Sequence, residues 1–124
     1  AREESGAVSG FSPLDPEDLL LLREARKKVF LEESLAGYAQ KMADSVRRAP
    51  DVVHGVSVRA LLQLLDAAKA HALLSGRDFV APADLKALAP AVWGHRVCLR
   101  GPLLSARQRK ELVRDAVDAA PTPA

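Results

Sequence analysis

The sequence predicts an all-α fold, a small bundle of about five helices. Aromatic residues make up only 4% of the 124 residues, alanine and leucine are abundant, and no stretch alternates β-branched with polar residues as a half-buried strand would. The hydrophobic content of 48% is enough for one domain with a single core. Each helix is also marked by residues that favour its start or its end.

The first helix is predicted from about residue 16 to residue 28. Asp15 can act as its N-cap, Pro16 suits the first helical position, and Glu17 and Asp18 complement the positive end of the helix dipole. Residues 1–12 are expected to form a linker or disordered segment, and the helical domain is expected to span residues 13–100.

The second helix is predicted from about residue 31 to residue 48. Acidic residues open it and basic residues close it, as the helix dipole favours. Its apolar side chains fall on one face: Leu31, Leu35, Tyr38, Met42 and Val46.

The third helix is the most apolar of the five, so we expect it to be central. Ser57 is a good N-cap, and Gly76 is suited to the residue just beyond the C-terminus. The wide apolar stripe consists of Val58, Leu61, Leu62, Leu65, Ala68, Ala72 and Leu73.

The fourth helix is predicted to start at Pro82, with Asp84 in its first turn and Ala81 as a poor cap. We therefore expect a weakly anchored start. The apolar residues after Pro90 are expected to pack back over the core in a bent or extended form: Val92, Trp93, Val97 and Leu99.

The fifth helix is predicted from about residue 105 to residue 119. Its apolar stripe is thin, so residues 101–119 are expected to form a peripheral C-terminal helix, followed by a tail over residues 120–124. The stripe consists of Leu112, Val113, Ala116 and Val117.

Composition argues against several functional classes. The net charge of +2 is small and the basic residues are interspersed with acidic ones, which argues against a nucleic-acid-binding protein. No apolar run approaches the roughly 20 residues that span a bilayer, and the N-terminus lacks the apolar region of a signal peptide. Cys98 is the single cysteine, expected to be a small apolar filler. We therefore expect a cytoplasmic protein without a membrane segment.

Sequence motifs for catalysis are absent from the chain. It has neither the phosphate-binding loop of P-loop ATPases nor the nucleophile elbow of hydrolases. His54, His71 and His95 lack metal-ligand spacing, so we expect partly buried or surface histidines and no metal site. The neighbouring acidic pairs are explained by helix capping.

Arg59 is the most informative residue, because it places a cation in the first turn of the third helix. A cation there costs about 0.3–1 kcal/mol, since a helix N-terminus favours anions. One use for this arrangement is to hold a phosphate. The alternatives are that Arg59 pairs with a carboxylate such as Asp51 or projects into solvent.

Five segments in order resemble the C-terminal helical lid domain of MoxR-family AAA+ ATPases over about residues 14–100. The segment from Gly55 to Ala60 resembles that family's Gly-x-Ser-Pro-Arg-Ala signature, with Val58 in place of the proline. The other matching segments are Ala68-Lys69-Ala70-x-Ala72-Leu73-Leu74, Gly76-Arg77-Asp78-Phe79-Val80, Pro82-Ala83-Asp84-Leu85 and His95-Arg96, with Arg47-Arg48-Ala49-Pro50-Asp51 in register upstream. Lids of magnesium chelatases and of MCM helicases share part of this pattern and stay open as alternatives.

The resemblance implies roles for individual residues. Arg59 occupies the position of the sensor-2 arginine, which reaches the nucleotide phosphates, and Ser57 and Arg47 are further candidates for the nucleotide site. Arg47 could instead bond carbonyl groups at the end of the second helix. Arg77 and Asp78 are expected to organise the turn after Gly76. His95 and Arg96 are expected to satisfy buried carbonyls, or else to contact a neighbouring subunit.

The resemblance also implies a larger parent protein. The nucleotide-binding core is missing from this chain, so the chain alone is expected neither to hydrolyse ATP nor to bind it tightly. The parent is expected to use ATP and Mg²⁺, to form a hexameric ring, and to remodel proteins as a chaperone, alongside proteins with von Willebrand factor A domains. The competing hypothesis is a freestanding adaptor that binds partners through Leu19 to Leu22 or Trp93, with a DNA-binding regulator as the third choice.

Overall fold

The computed structural model describes residues 12–101 and 103–123, and these form five α-helices and one pair of short strands. The predicted all-α bundle is confirmed, whereas the small sheet was not predicted. The elements are α1 (Pro16–Lys27), α2 (Glu33–Arg48), β1 (Val52–His54), α3 (Val58–Leu74), α4 (Pro82–Trp93), β2 (Cys98–Leu99) and α5 (Ala106–Asp118).

The core lies between α2, α3, α4 and α5, and α3 contacts α1, α2 and α4. Three large side chains at its centre, Tyr38, Leu64 and Trp93, are almost completely buried. By contrast, α1 buries no residue fully and contacts α3 alone among the described elements. The first helix is therefore attached to the bundle along one side only.

The two strands connect the end of α2 to the segment that follows α4. They pair antiparallel, with Val52 opposite Leu99 and His54 opposite Cys98. The amide of Arg100 donates to the carbonyl of Asp51 at 2.7 Å, and Asp51 itself has a positive φ of 69°. This pairing fixes the loop that leads into the start of α3.

Three features of the second half differ from the sequence predictions. The residues directly after Pro90 were expected in a bent or extended form, but α4 continues through the buried Pro90 to Trp93. Helix α5 packs more deeply than its thin stripe indicates, since Val113 and Val117 are buried where it crosses α4 and α2. Cys98 is exposed in β2, so it is not an apolar filler.

The start of α4 is better anchored than its alanine cap predicts. Asp84, in the first turn, accepts a hydrogen bond from the amide of Ala81 at 2.7 Å and is completely buried. The carboxylate at the third helical position therefore accepts from the amide of the cap residue, which anchors the helix start although the alanine side chain itself cannot accept a hydrogen bond.

The predicted linker over residues 1–12 lies outside the described residues, except for Ser12. At the other end, Ala120 belongs to the core although the tail was expected to start there. Within the described residues, no helix combines the length and the apolar character that crossing a lipid bilayer requires.

Candidate functional site

The candidate site is the N-terminus of α3, and its cap is the one predicted. The Ser57 hydroxyl accepts a hydrogen bond from the amide of Ala60 at 3.1 Å. The amides of Val58 and Arg59, one and two residues after the cap, donate to no oxygen atom within the part of the chain that the structure describes. Unpaired amides of this kind make a helix start attractive to an anion.

The Arg59 side chain is exposed at this helix end. It forms no ion pair with any carboxylate among residues 12–101 and 103–123, and so the predicted alternative of a pair with Asp51 is not observed. No carboxylate of the described residues therefore occupies the five N–H donors of this guanidinium.

A close backbone approach brings the end of α2 to the same place. A Cβ atom built on Gly55 would lie 3.0 Å from the Cα of Arg47, closer than such atoms normally come. Only glycine leaves room for this approach. The backbone of Arg47 therefore lies against Gly55, which precedes the Ser57 cap by two residues, and the predicted part of Arg47 in a nucleotide site stays a prediction.

Arg47 does not bond the last carbonyls of its helix, which was one of its two predicted roles. Its guanidinium donates to Asp44, one turn earlier in α2, and most of its side chain is exposed. An exposed pair of this type contributes little to stability and exchanges partners easily. Arg47 is therefore exposed to solvent, with its guanidinium on Asp44 of the same helix.

Trp93 supports the first turn of α3 from inside the core. Its indole N–H donates to the carbonyl of Ala60 at 3.0 Å, and the side chain is fully buried. Because Ala60 directly follows Arg59, this bond fixes the backbone from which the arginine projects. From sequence, Trp93 was expected to pack over the core or, in the adaptor hypothesis, to form part of a partner surface. Its complete burial excludes that surface role.

The exposed arginine and the unpaired amides fit a phosphate group, and no metal site lies beside them. Among the described residues there is no group of three or more histidine, cysteine or carboxylate side chains that could hold a metal ion.

The opposite end of α3 carries a second cluster of charges, and this one is closed. Asp84 is held by both terminal nitrogens of Arg77, at 2.7 and 2.8 Å, and its Oδ1 lies 2.6 Å from Nδ1 of His71. The hydrogen bonds from Arg77 hold the pKa of Asp84 well below its usual range, with help from the Ala81 amide and His71 and against the opposing effect of burial. The same bond raises the pKa of Arg77.

Arg77 organises the turn after Gly76, in agreement with the prediction for it. Besides binding Asp84, it donates to the carbonyl of Phe79 at 3.1 Å and lies over the Phe79 ring. The carbonyl of Asp78 accepts from the amide of Phe30, which ties this turn to the end of α1. His71 was not predicted to take part, since it lies 13 residues before Asp84 without any recognisable motif.

The remaining candidates lie outside both clusters. His54 is exposed in β1, and His95 and Arg96 are exposed after α4. The side chains of His95 and Arg96 donate to no carbonyl group of the described residues, so their predicted structural role is not observed. Their contact with a neighbouring subunit stays a prediction.

Comparison with known proteins places these features in a family. The family described as the AAA lid domain matches residues 45–116, which is more than half of the chain and includes both ends of α3. A solved structure of a candidate ATPase from Cytophaga hutchinsonii superposes with a TM-score of 0.72 at 26% identity, over 92% of this chain and 40% of that one.

Curated relatives are similar over most of this chain. The uncharacterized protein YeaC of Bacillus subtilis is 32% identical over 98% of the chain and 39% of its own length. The chaperone MoxR1 of Mycobacterium tuberculosis is 31% identical over 81% of the chain and 29% of its own length. The protein MoxR of Paracoccus denitrificans is 40% identical over 72% of the chain and 26% of its own length. The chain therefore spans less than half the length of each of these relatives.

Proposed function

The chain belongs to the AAA lid domain family, as the lid of a MoxR-like AAA+ ATPase, and from that premise we propose that Arg59 is its sensor-2 arginine. In this role the guanidinium contacts a phosphate of the nucleotide that the core domain of the parent protein binds. Two observations on residues 12–101 and 103–123 support the proposal: Arg59 is exposed and has no ion-pair partner among them, and the amides of Val58 and Arg59 donate to no oxygen atom among them.

The electrostatics of the helix end favour a negatively charged ligand. The cation of Arg59 and the positive end of the helix dipole repel each other, so an anion placed between the guanidinium and the helix N-terminus is attracted to both. Arginine can donate two parallel hydrogen bonds to one phosphate, which a lysine cannot match. Arg47 is a second cation near this loop, because its backbone lies against Gly55, although its guanidinium pairs with Asp44.

Trp93 and the strand pair link the start of α3 to the rest of the lid, so that a movement of the α3 start would move the lid as a rigid unit. The bond from Trp93 to the Ala60 carbonyl joins α3 to α4, and β1 joins the same loop to the segment after α4. A phosphate held by Arg59 would therefore position the whole lid, and loss of that phosphate on hydrolysis would release it. This coupling is the chaperone-like step that we propose for the parent protein.

The larger assembly follows from the family and is part of the proposal. We propose that the parent binds ATP and Mg²⁺ through a core domain outside this chain, assembles as a hexameric ring in the cytoplasm, and remodels proteins. Proteins with von Willebrand factor A domains are the proposed co-workers. The name of the relative MoxR1, a chaperone, supports the remodelling role.

The decisive experiment is ATP turnover by the full-length parent protein with Arg59→Ala. We expect kcat to fall on the order of 100-fold, as when one preorganised donor to a developing negative charge is removed. Arg59→Lys should restore only part of the rate, because it keeps the charge and loses the paired donors. Circular dichroism shows whether each variant remains folded.

Arg114→Ala provides the matched control, since Arg114 is an exposed arginine on α5 that has no ion-pair partner among the described residues. Its turnover should equal that of the wild type. If Arg59→Ala turns over ATP at the wild-type rate while folded, or if the two variants lose the same fraction of activity, the sensor-2 proposal is wrong.

A further inference from the structure

Residues 94–97 connect α4 to β2, and the residues on either side of this connection both reach the start of α3. On one side, the indole N–H of Trp93 donates to the carbonyl of Ala60 at 3.0 Å. On the other side, β2 pairs with β1, the strand after which the chain runs into the N-cap of α3. The position of this connection therefore affects both supports of the helix end that carries Arg59.

Helix α5 contacts the connection at both of its ends. Nη1 of Arg109 donates to the carbonyl of Val97 at 2.7 Å, and the side chain of Val97 is buried. One residue further along α5, Lys110 lies against Gly94, because a Cβ atom built on Gly94 would come within 3.2 Å of the Cγ of Lys110. Two neighbouring residues of α5 thus contact the first and the last residue of the connection.

Arg109 uses its charge on a backbone carbonyl and on no carboxylate of the described residues. It forms no ion pair within residues 12–101 and 103–123, and its side chain is half-buried. A hydrogen bond from a charged donor is roughly twice as strong as one between neutral groups. The bond to Val97 therefore holds the backbone of the connection against α5.

We propose that Arg109 is a positioning residue for Arg59, and this proposal rests on the proposed sensor-2 role of Arg59. By holding the Val97 carbonyl, Arg109 sets the place of the connection. The connection in turn sets the places of Trp93 and of β2, which fix the backbone from which Arg59 projects. Arg109 itself touches no phosphate in this arrangement. A displacement of α5 relative to α4 would therefore change how well Arg59 meets the nucleotide, which makes α5 a regulatory element of the lid.

The first test measures hydrogen exchange by NMR in the 124-residue chain, without nucleotide. Trp93 is the single tryptophan, so its indole N–H gives one side-chain signal. Arg109→Met removes the donors and keeps an apolar stem, and it should speed the exchange of this indole N–H and of the Arg59 amide several-fold. Arg107→Met is the matched control, because Arg107 lies on the same helix and pairs at 3.3 Å with a carboxylate of that helix. It should leave both exchange rates unchanged.

The second test is a double-mutant cycle in the full-length parent protein. Arg109→Met should lower kcat for ATP by about 2- to 30-fold, the range for residues that modulate coupling without touching the ligand. In the Arg59→Ala background it should cause no further loss, because the residue that it positions is gone. Val117→Ala destabilises α5 at another buried position. At temperatures where this variant is folded, its kcat should equal that of the wild type.

Failure of this proposal is distinguishable from failure of the sensor-2 proposal, which a wild-type rate for Arg59→Ala would show. With Arg59→Ala slow, a wild-type rate for Arg109→Met overturns the positioning role. Equal losses from Arg109→Met in both backgrounds, or a loss that Val117→Ala shares, also overturn it. So does an Arg59 amide in the 124-residue chain whose exchange Arg109→Met leaves unchanged.

Discussion

Charged residues lie at both ends of α3, buried in a hydrogen-bonded cluster at one end and exposed at the other. At the C-terminal end, the Asp84 carboxylate is buried and receives hydrogen bonds from Arg77, His71 and the Ala81 amide. At the N-terminal end, Arg59 is exposed and has no ion-pair partner among the described residues. A satisfied buried cluster holds a fold together, whereas an exposed cation at a helix N-terminus has a favourable use only with a ligand. The stabilising cluster therefore lies at one end of α3, and the residue proposed to bind a phosphate lies at the other.

The largest loss of unfolding free energy is expected for Asp84→Asn, in the buried cluster beside the C-terminal end of α3. The substitution keeps the size of the side chain and removes the charge, which leaves Arg77 without its counter-ion. Breaking one side of a buried ion pair costs about 3 kcal/mol of unfolding free energy, and the partial exposure of Arg77 places the expected value near this lower limit. Urea denaturation followed by circular dichroism measures the change.

Asp78→Asn is the control for that experiment, because Asp78 lies in the same turn with an exposed side chain. Its unfolding free energy should stay within about 0.5 kcal/mol of the wild type. Equal losses in both variants would mean that the turn, and not the buried carboxylate, is the source of stability.

Acid should gradually remove the stabilisation that the ionised Asp84 carboxylate provides. Since the pKa of Asp84 is lower in the folded protein than in the unfolded chain, the unfolded chain binds more protons as the pH falls. The stabilisation is therefore complete above the unfolded pKa of about 3.9 and is lost below it. Melting temperatures measured against pH should show the wild type and Asp84→Asn converging in acid. A constant gap down to the lowest pH would contradict the lowered pKa.

A good part of this comparison could be predicted from sequence. The caps and dipole residues located the helix starts, and the cation in the first turn of α3 singled out Arg59. The strand pair could not be predicted, because strands of three and two residues show no periodicity and join segments far apart in the chain. The contact of His71 with Asp84 spans 13 residues and depends on how α3 and α4 cross. Local patterns indicate elements, and packing decides which side chains meet.

An intermediate loss of unfolding free energy is expected for Gly55→Ala. This variant tests whether the N-terminal end of α3 depends on the close approach of α2 to Gly55. The added Cβ would lie 3.0 Å from the Cα of Arg47, so the backbone must shift. Overpacking of this kind costs about 1–3 kcal/mol, and the expected loss of unfolding free energy is at the lower end because the contact lies at the surface. The shift should also change the amide NMR signals of Val58 and Arg59.

Gly37→Ala is the matched control, since Gly37 lies within α2 and a Cβ there would meet no atom within 4 Å. Alanine is the better helix former, so this variant should gain about 0.5–1 kcal/mol. The two substitutions are chemically identical and should have opposite signs. A gain in both would show that the loop before α3 has room to move.

The smallest effect on stability is expected for Arg59→Ala, and its sign is the sharpest test of the comparison. Removing a cation from the first turn relieves an unfavourable interaction with the helix dipole, so the unfolding free energy should rise by about 0.3–1 kcal/mol. Because the dipole term is screened by salt, the gain should shrink as the ionic strength is raised. A loss of stability would mean that Arg59 makes a favourable contact within the domain, and the two ends of α3 would then differ in degree only. A gain, together with the loss of ATP turnover expected in the parent protein, would identify a residue that the fold tolerates for the sake of its ligand.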